Sequence, residues 1–475
     1  MTDSALIQTI MDNAVKAAAI FSQLDQEHTD RIVRAVYTAG FNSRIRLAQM
    51  AIEETKMGKL QDKIIKNVLA TQLVFEDIKN LKTVGIISED ETSGIVEIAQ
   101  PLGPIFAITP VTNPTSTVMF KILIALKSRN PIIIRPHSNA VNCSIEAAKI
   151  CYEAALSEDA PENCIQWIPN CTREETQSMM AHKDMALILA TGGGGLVNAA
   201  YSSGTPALGV GAGNVPVYIE KSADISYAVS SILSSKLFDN GTVCASEQAI
   251  IVEKEISDKV KIELESQGGY FLNEEEIEKV SAVVFDSKKK VMSTGTMGKS
   301  AKYIAELAGI KIPANAELLI AKLNGVGENY PLSHEILAPV IAYYEAADYQ
   351  AAVNLCIDLN YHGGVGHTAS IFSNDEKRIK EFSMVMNAGR IVVNMPSSQG
   401  AVGSLLNTLP ASLTLGCGTG GKNITTDNVT AKHLLNIQRI TRKKVNQKFS
   451  SIDQAIYFDE AYTAEEVDKI YHKNF

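Results

Sequence analysis

Ile105-Phe106-Ala107-Ile108-Thr109-Pro110-Val111-Thr112-Asn113-Pro114-Thr115-Ser116-Thr117 packs a strand, a loop and a helix start into one run. Ile105 to Thr109 is apolar without strict alternation, the pattern of a strand buried on both faces. Further along lie similar runs at Pro131 to Arg135, Ile165 to Ile168, Met185 to Ala190 and Val215 to Ile219. Helical stretches such as Ser144 to Ala155 separate them. Strand–helix–strand alternation predicts an open, mostly parallel α/β sheet. A second α/β region runs from about Asp239 to Thr425. Upstream, Leu6, Ile10, Ala14, Ala17 and Ile20 recur at helical spacing. Thr29-Asp30 reads as a cap for a helix over Arg31 to Ala39. Val84 to Ile87 and Gly94 to Ile98, separated by acidic turn residues, predict a hairpin. A last strand is expected at His433 to Ile440.

The chain has 475 residues, 45% of them hydrophobic and 20% charged, enough for two or three domains. Its net charge of −9 offers no footprint for nucleic acid or an anionic membrane. Ile122 to Leu126 is flanked by Lys121 and Lys127, so no transmembrane helix is expected there. Met1 to Thr9 lacks the basic and apolar segments of a signal peptide. The 7 cysteines stand at 143, 151, 164, 171, 244, 356 and 417 without any C-x-x-C. That pattern argues for a reducing cytoplasm and against disulfides or structural zinc. The 8 histidines form no ligand cluster, so no metal site is expected.

Several loops carry possible chemistry, each with a plainer reading. Phe238-Asp239-Asn240-Gly241-Thr242-Val243-Cys244-Ala245-Ser246-Glu247-Gln248 sets a cysteine just after an Asn-Gly turn, beside small neighbours. A loop would present such a thiol to a ligand, whereas most free cysteines are small buried hydrophobes. Thr109 to Thr117 is stiffened by Pro110 and Pro114 and dense in amide and hydroxyl donors, which suits an oxyanion site. A helix capped by Thr115 or Ser116 accounts for the same residues. Thr191-Gly192-Gly193-Gly194-Gly195 follows a strand and opens a helix, as a phosphate cradle or a tight turn would. Its spacing is not G-x-G-x-x-G, because Val197 takes the last glycine position. Gly204 to Asn214 is glycine-rich, as a closely approached loop or a linker. His367, in Gly363-Gly364-Val365-Gly366-His367-Thr368-Ala369, is flanked by glycines and faces substrate or braces its loop. Cys417, in Gly416-Cys417-Gly418-Thr419-Gly420-Gly421, is the rival nucleophile.

Taken in order, these stretches resemble the aldehyde dehydrogenase superfamily, in its CoA-acylating branch. The best match is to the aldehyde dehydrogenase half of bifunctional alcohol/aldehyde dehydrogenases. The resemblance rests on Thr112 to Thr117, Leu189 to Gly193, Ala200 to Gly204, Gly209 to Asn214, the Cys244 segment, Gly366-His367-Thr368 and Leu413 to Gly418. It runs to about Ile440. It implies a doubly wound cofactor domain (1–238), an α/β catalytic domain (239–425) and a small β oligomerisation arm. The arm would combine the hairpin at 84–100 with a strand and tail in 426–475. Hydrolytic relatives carry Glu-Leu-Gly-Gly before the strand that here begins at Val215, and aligning on Pro216 puts Val210 where their general base stands. A thiol acceptor needs less help than water, since its pKa is nearer neutrality.

The resemblance implies an aldehyde, acetaldehyde first, oxidised through a Cys244 thioester with NAD, or NADP, and CoA as acyl acceptor. A charged aldehyde such as succinic semialdehyde or sulfoacetaldehyde is the alternative. The Cys244 backbone N–H and a donor from Thr112 or Asn113 would hold the oxyanion. His367 would take the CoA thiol proton. Glu335 would hold the nicotinamide ribose, Gly192 and Gly193 the pyrophosphate, and Arg135 the adenine ribose. A homodimer or homotetramer in the cytoplasm, or in a bacterial microcompartment, is expected, with an alcohol dehydrogenase as a possible partner. A non-catalytic assembly protein is the reading from another class; the intact Cys244, Glu335 and glycine loop favour the enzyme.

Overall fold

The computed structural model describes residues 3–473. The first helix, Asp3–Phe21, buries Ile7, Ile10, Met11, Ala14, Ala17 and Phe21. The expected stripe is therefore rotated: Leu6 and Ile20 are 41% and 53% exposed. The second helix, Gln26–Asn42, starts a turn before its expected beginning. Asp25 caps it, accepting from the His28 N–H at 2.8 Å. Thr29 lies inside the helix, its hydroxyl turned back to the Asp25 carbonyl at 2.7 Å.

Ten strands come first in chain order. They are β1 (Gly85–Asp90), β2 (Ile95–Pro101), β3 (Ile105–Ile108), β4 (Ile132–Arg135), β5 (Ile165–Trp167), β6 (Leu187–Thr191), β7 (Ala207–Val210), β8 (Val215–Ile219), β9 (Glu247–Glu253) and β10 (Gly269–Leu272). A short antiparallel pair follows, β11 (Phe285–Asp286) and β12 (Val291–Met292). The rest are β13 (Leu318–Lys322), β14 (Val340–Ala346), β15 (Gly366–Phe372), β16 (Ala388–Val393) and β17 (Leu435–Thr441).

A five-stranded parallel sheet has the order β5-β4-β3-β6-β7. Its strands read as unbroken apolar runs because each face has its own core. Ile105, Ala107, Ile132, Ile134, Leu187 and Leu189 pack on one side, with the helix Pro114–Lys127. Phe106, Ile108, Ile133, Ile188 and Ala190 pack on the other, with the first helix. Each such aliphatic side chain contributes about 1.5–3 kcal/mol by leaving water. The strand order reverses between β3 and β6, which opens a crevice at their carboxyl ends, the usual ligand position in such sheets.

A seven-stranded sheet has the order β10-β13-β14-β9-β8-β15-β16, with every neighbouring pair parallel. Here two expectations change. Ala207–Val210, read as part of a glycine loop, is the edge strand β7. Val215–Ile219, read with the first sheet, pairs with β9 and β15 instead, Val217 standing opposite Ile250 and Ser370. The sheets therefore change over at residues 211–214.

A separate compact unit comprises Val84–Gln100 and Asn436–Phe475. The expected hairpin is present, with Gly85 opposite Ala99, and a three-stranded sheet has the order β1-β2-β17.

Candidate active site

Cys244 follows a turn that the rest of the chain holds in an unusual shape. Asp239, Asn240 and Gly241 have φ values of 50°, 53° and 75° in succession. Left-handed backbone at a non-glycine residue costs about 1–3 kcal/mol, so it persists only where surrounding bonds impose it. Those bonds come from residues 58–66. The Asp239 N–H donates to Asp62 Oδ2 at 2.7 Å, and Asp239 Oδ1 accepts from the Lys59 N–H at 2.8 Å. Asp239 Oδ2 accepts from Lys63 Nζ at 3.0 Å, from Thr242 Oγ1 at 2.7 Å and from Lys66 Nζ. Gly58 is required at this approach, because a Cβ there would overlap Asp239 Oδ1. Burial opposes the Asp239 charge, but Lys66 and Lys63 outweigh it and hold the carboxyl below its ordinary range. Burial pushes Lys66 down to about 8, even with Asp239 supporting its charge.

Cys244 opens into a pocket lined by Ile65, Leu69, Phe238, Val243, Val402, Leu405, Leu413 and Leu415, with Lys66, Asn113, Thr117, Thr191, Ser398 and Gln399. No carboxylate or imidazole is in this lining. Asn113 enters it from the loop after β3. The helix that follows starts at Pro114, so Thr115 and Ser116 lie in its first turn and do not cap it. Asn113 holds the capping position, yet its amide makes no cap bond. Its Oδ1 accepts from Lys66 Nζ at 2.6 Å and its Nδ2 donates to Thr112 Oγ1 at 3.2 Å. Of the two oxyanion candidates, Asn113 shares the pocket with Cys244, while Thr112 is buried behind it.

Beside Cys244 lie Gly213, Glu335, His367 and Arg390. A Cβ on Gly213 would overlap the Cys244 carbonyl and stand 3.2 Å from the His367 ring. The Gly213 N–H donates to Glu335 Oε1 at 2.8 Å. Burial raises Glu335 to about 7, against the pull of that N–H and of Lys236. The Cys244 thiol is pushed up to about 12, by burial first and then by Glu335 and Cys417, with Arg390 opposing. These surroundings favour the neutral thiol over the thiolate. Alkylation of the cofactor-free protein by iodoacetamide should rise about tenfold per pH unit from about pH 7 to about pH 10, because only the thiolate reacts. A rate already flat at neutral pH would mean a thiolate is present at rest.

His367 packs against Gly213, beside the Cys244 carbonyl. It is 1% exposed, and burial together with Arg390 lowers its pKa to about 3. Its Nδ1 lies 2.9 Å from Thr368 Oγ1 and its Nε2 is buried without a partner. Cys417 is outside the pocket lining, donates to the Leu415 carbonyl at 3.3 Å, and has its thiol raised to about 11.

The carboxyl ends of the first sheet supply the remaining candidates. Gly193, Gly194 and Gly195 face open space, and the helix Gly194–Tyr201 has no side-chain cap, so its first N–H groups are available to an anion. Gly192 packs under Leu196. Thr191 Oγ1, at the pocket wall, and Arg135 Nε, at the end of β4, are both buried without partners. Open glycines, unclaimed amides and orphaned donors at a strand-order reversal fit a dinucleotide. Lys121, at the same crevice, donates to the Ile108 and Leu189 carbonyls at 2.7 and 2.8 Å, tying β3 to β6.

Comparison with known proteins gives the family. The aldehyde dehydrogenase family matches residues 1–271, and the match takes in both the glycine loop and Cys244. The chain belongs to the aldehyde dehydrogenase family. Within it, this aldehyde dehydrogenase falls in the CoA-acylating branch. It is 42% identical over 462 residues to the bifunctional aldehyde-alcohol dehydrogenase of Escherichia coli K12, covering 96% of this chain and 52% of that protein. The chain thus spans about half the length of that relative. It is 35% identical to the succinate-semialdehyde dehydrogenase (acetylating) of Clostridium kluyveri, over 93% of this chain and 96% of that protein. An acetylating aldehyde dehydrogenase from Geobacillus thermoglucosidasius superposes with a TM-score of 0.91 at 46% identity, covering 94% of this chain and 98% of that one.

Two charged features of this aldehyde dehydrogenase site escaped the motif reading. Lys66 and Asp239 are one; the signal was an aspartate within the cysteine segment itself, but its partners lie 173 and 176 residues upstream. Arg390 is the other, a lone arginine in the apolar strand β16. It donates to the His367, Gly416 and Thr426 carbonyls at 2.8, 2.6 and 3.0 Å, binding three segments beneath Cys244.

Proposed function

We propose that this aldehyde dehydrogenase oxidises a small uncharged aldehyde, acetaldehyde first, with a nicotinamide dinucleotide, and passes the acyl group to CoA. The lining of the Cys244 pocket carries this reading. It has room for an aliphatic chain, amide donors from Asn113 and Gln399, and no carboxylate or imidazole to activate water.

Cys244 Sγ, partly exposed to the pocket, attacks the carbonyl carbon and its proton passes to water as the S–C bond forms. The carbonyl π pair moves to oxygen, where an Asn113 N–H and the Cys244 N–H receive it. The dinucleotide, when bound, supplies the cationic ring that accepts hydride. The same donors hold the oxygen as the carbonyl re-forms and leave a thioester on Cys244. The CoA thiolate then adds to that carbon, and the Cys244 sulfur leaves with the electron pair of the broken S–C bond. Gly192, Gly193 and the uncapped helix would hold the pyrophosphate, Glu335 the nicotinamide ribose and Arg135 the adenosine end. The charge of Arg135 suits the 2′-phosphate of NADP as well as the hydroxyls of NAD, and paired KM values for the two separate them. His367, with its low pKa, supports a lone-pair acceptor for the CoA proton only transiently; its bracing of Thr368 supports a structural share.

Acetaldehyde, propionaldehyde, succinic semialdehyde and sulfoacetaldehyde, each assayed with CoA, test the substrate class. Uncharged aldehydes should exceed charged ones in kcat/KM by about a hundredfold or more, because a carboxylate or sulfonate would be desolvated among Leu69, Val402 and Leu413 without a free cation. Equal values would return the charged-aldehyde reading. We further propose that β1, β2 and β17, which leave sheet edges open, form an arm that pairs with a second copy in a homodimer or homotetramer. The sheets' division supports a cofactor domain built on the first and a catalytic domain built on the second. No helix among the described residues is long and apolar enough to cross a membrane; we place the activity in the cytoplasm, with an alcohol dehydrogenase as the natural consumer of aldehyde made in reverse.

A further inference from the structure

Lys66 is a buried cation in the wall of an otherwise uncharged pocket. Burying an ammonium is costly unless every N–H is matched. Here all are matched: Lys66 Nζ donates to Asn113 Oδ1 at 2.6 Å, to Thr242 Oγ1 at 2.9 Å and to Asp239 Oδ2. An ammonium has three N–H groups and no acceptor. None is left to bind a substrate carboxylate, so Lys66 is not a receptor for a charged aldehyde.

The consequence falls on Asn113. Whatever atom Lys66 touches must be an acceptor, so the ammonium fixes which end of the amide is oxygen. The NH2 end is then turned the other way. One of its N–H groups goes to Thr112 Oγ1 at 3.2 Å, and the second is available to the pocket that holds Cys244. The local helix serves this placement. Leu60–Val68 passes into a single π-helical stretch, Leu69–Leu73, and Ile65, Lys66 and Leu69 share the pocket wall. Such π segments recur where a helix must re-aim a side chain.

We infer that Lys66 is a positioning residue: braced by Asp239 and Thr242, it orients the Asn113 amide so that an N–H points to the substrate oxyanion. The inference rests on the reading of Asn113 as oxyanion donor. Without Lys66 the amide is free to rotate and present its oxygen, which repels the developing negative charge.

The test is a double-mutant cycle on the full chain. Wild type, Asn113→Ala, Lys66→Met and the double variant are compared in the rate constant of the NADH burst, with dinucleotide Kd and melting temperature measured alongside. Asn113→Ala should slow the burst by about a hundredfold, the usual loss for one oxyanion donor. Lys66→Met should slow it by about ten- to thirtyfold with Kd nearly unchanged, since part of the amide population keeps the right orientation. The double variant should be no slower than Asn113→Ala alone. A double variant slowed by the product of the two factors would overturn the inference and leave Lys66 a support of the fold. An unaffected Asn113→Ala burst would overturn the oxyanion reading itself, and the inference with it. Should Lys66→Met fail to fold, Thr242→Val replaces it in the same cycle: it removes one brace and keeps the Lys66–Asp239 pair, and an additive result with it overturns the inference equally.

Discussion

Cys244→Ala should lower aldehyde-dependent NADH formation by at least about a thousandfold, in the presence or absence of CoA. The expected size follows from the pocket. Cys244 is the sole thiol in its lining, and no other nucleophile there has a base beside it. Cys417 cannot substitute, since its sulfur is committed to the Leu415 carbonyl and lies outside that lining. Dinucleotide binding, measured by fluorescence titration, should stay within about threefold of wild type, because the glycine loop and Arg135 are remote in sequence and make no bond to the sulfur. Activity above a few per cent would move the nucleophile elsewhere, with Cys417 the first to test.

With aldehyde and dinucleotide but no CoA, NADH should appear to about one equivalent per subunit and then almost stop. General-base assistance is worth roughly 10²–10⁴ in rate, and thioester hydrolysis here lacks it. Val210, expected from the sequence to stand where hydrolytic relatives carry their base, is buried at the end of β7 opposite Thr191. Glu335 and His367 lie beside Cys244 but outside the lining of its pocket, and Glu335 accepts from the Gly213 N–H. Adding CoA should restore full turnover at once. Steady release of free acid without CoA would contradict this and require a water-activating group that the lining does not contain.

How much of this was legible beforehand depended on how local the signal was. The first sheet could be read because its strands are buried on both faces and look it. β7 could not, because Ala207–Val210 is embedded in glycines that read as loop. β8 was seen as a strand but assigned to the wrong sheet: Val-Pro-Val-Tyr-Ile is equally suited to either, and its pairing with Ile250 and Ser370 is non-local. The first helix face was missed by one residue, enough to exchange Leu6 for Ile7. At the site, Cys244, Asn113 and the glycine loop were legible as short motifs. Lys66 and Arg390 were not, because a buried charge is recognisable only by partners that the fold brings from elsewhere. The His367 motif was visible, but its depressed pKa comes from burial and from Arg390 on a neighbouring strand.

The left-handed turn before Cys244 also bears on how the enzyme comes to be armed. Its bend at residues 239–241 is locked by groups that lie 173–180 residues earlier in the chain. Closing so long a loop is an entropic debt that local structure cannot settle, and contacts of that separation form late. A chain whose segment 58–66 has yet to dock is expected to hold Cys244 on a relaxed bend. The same lock makes the reactive geometry sensitive to fraying at a distance: if that short helical segment lets go, the cysteine loses its aim while both sheets remain intact.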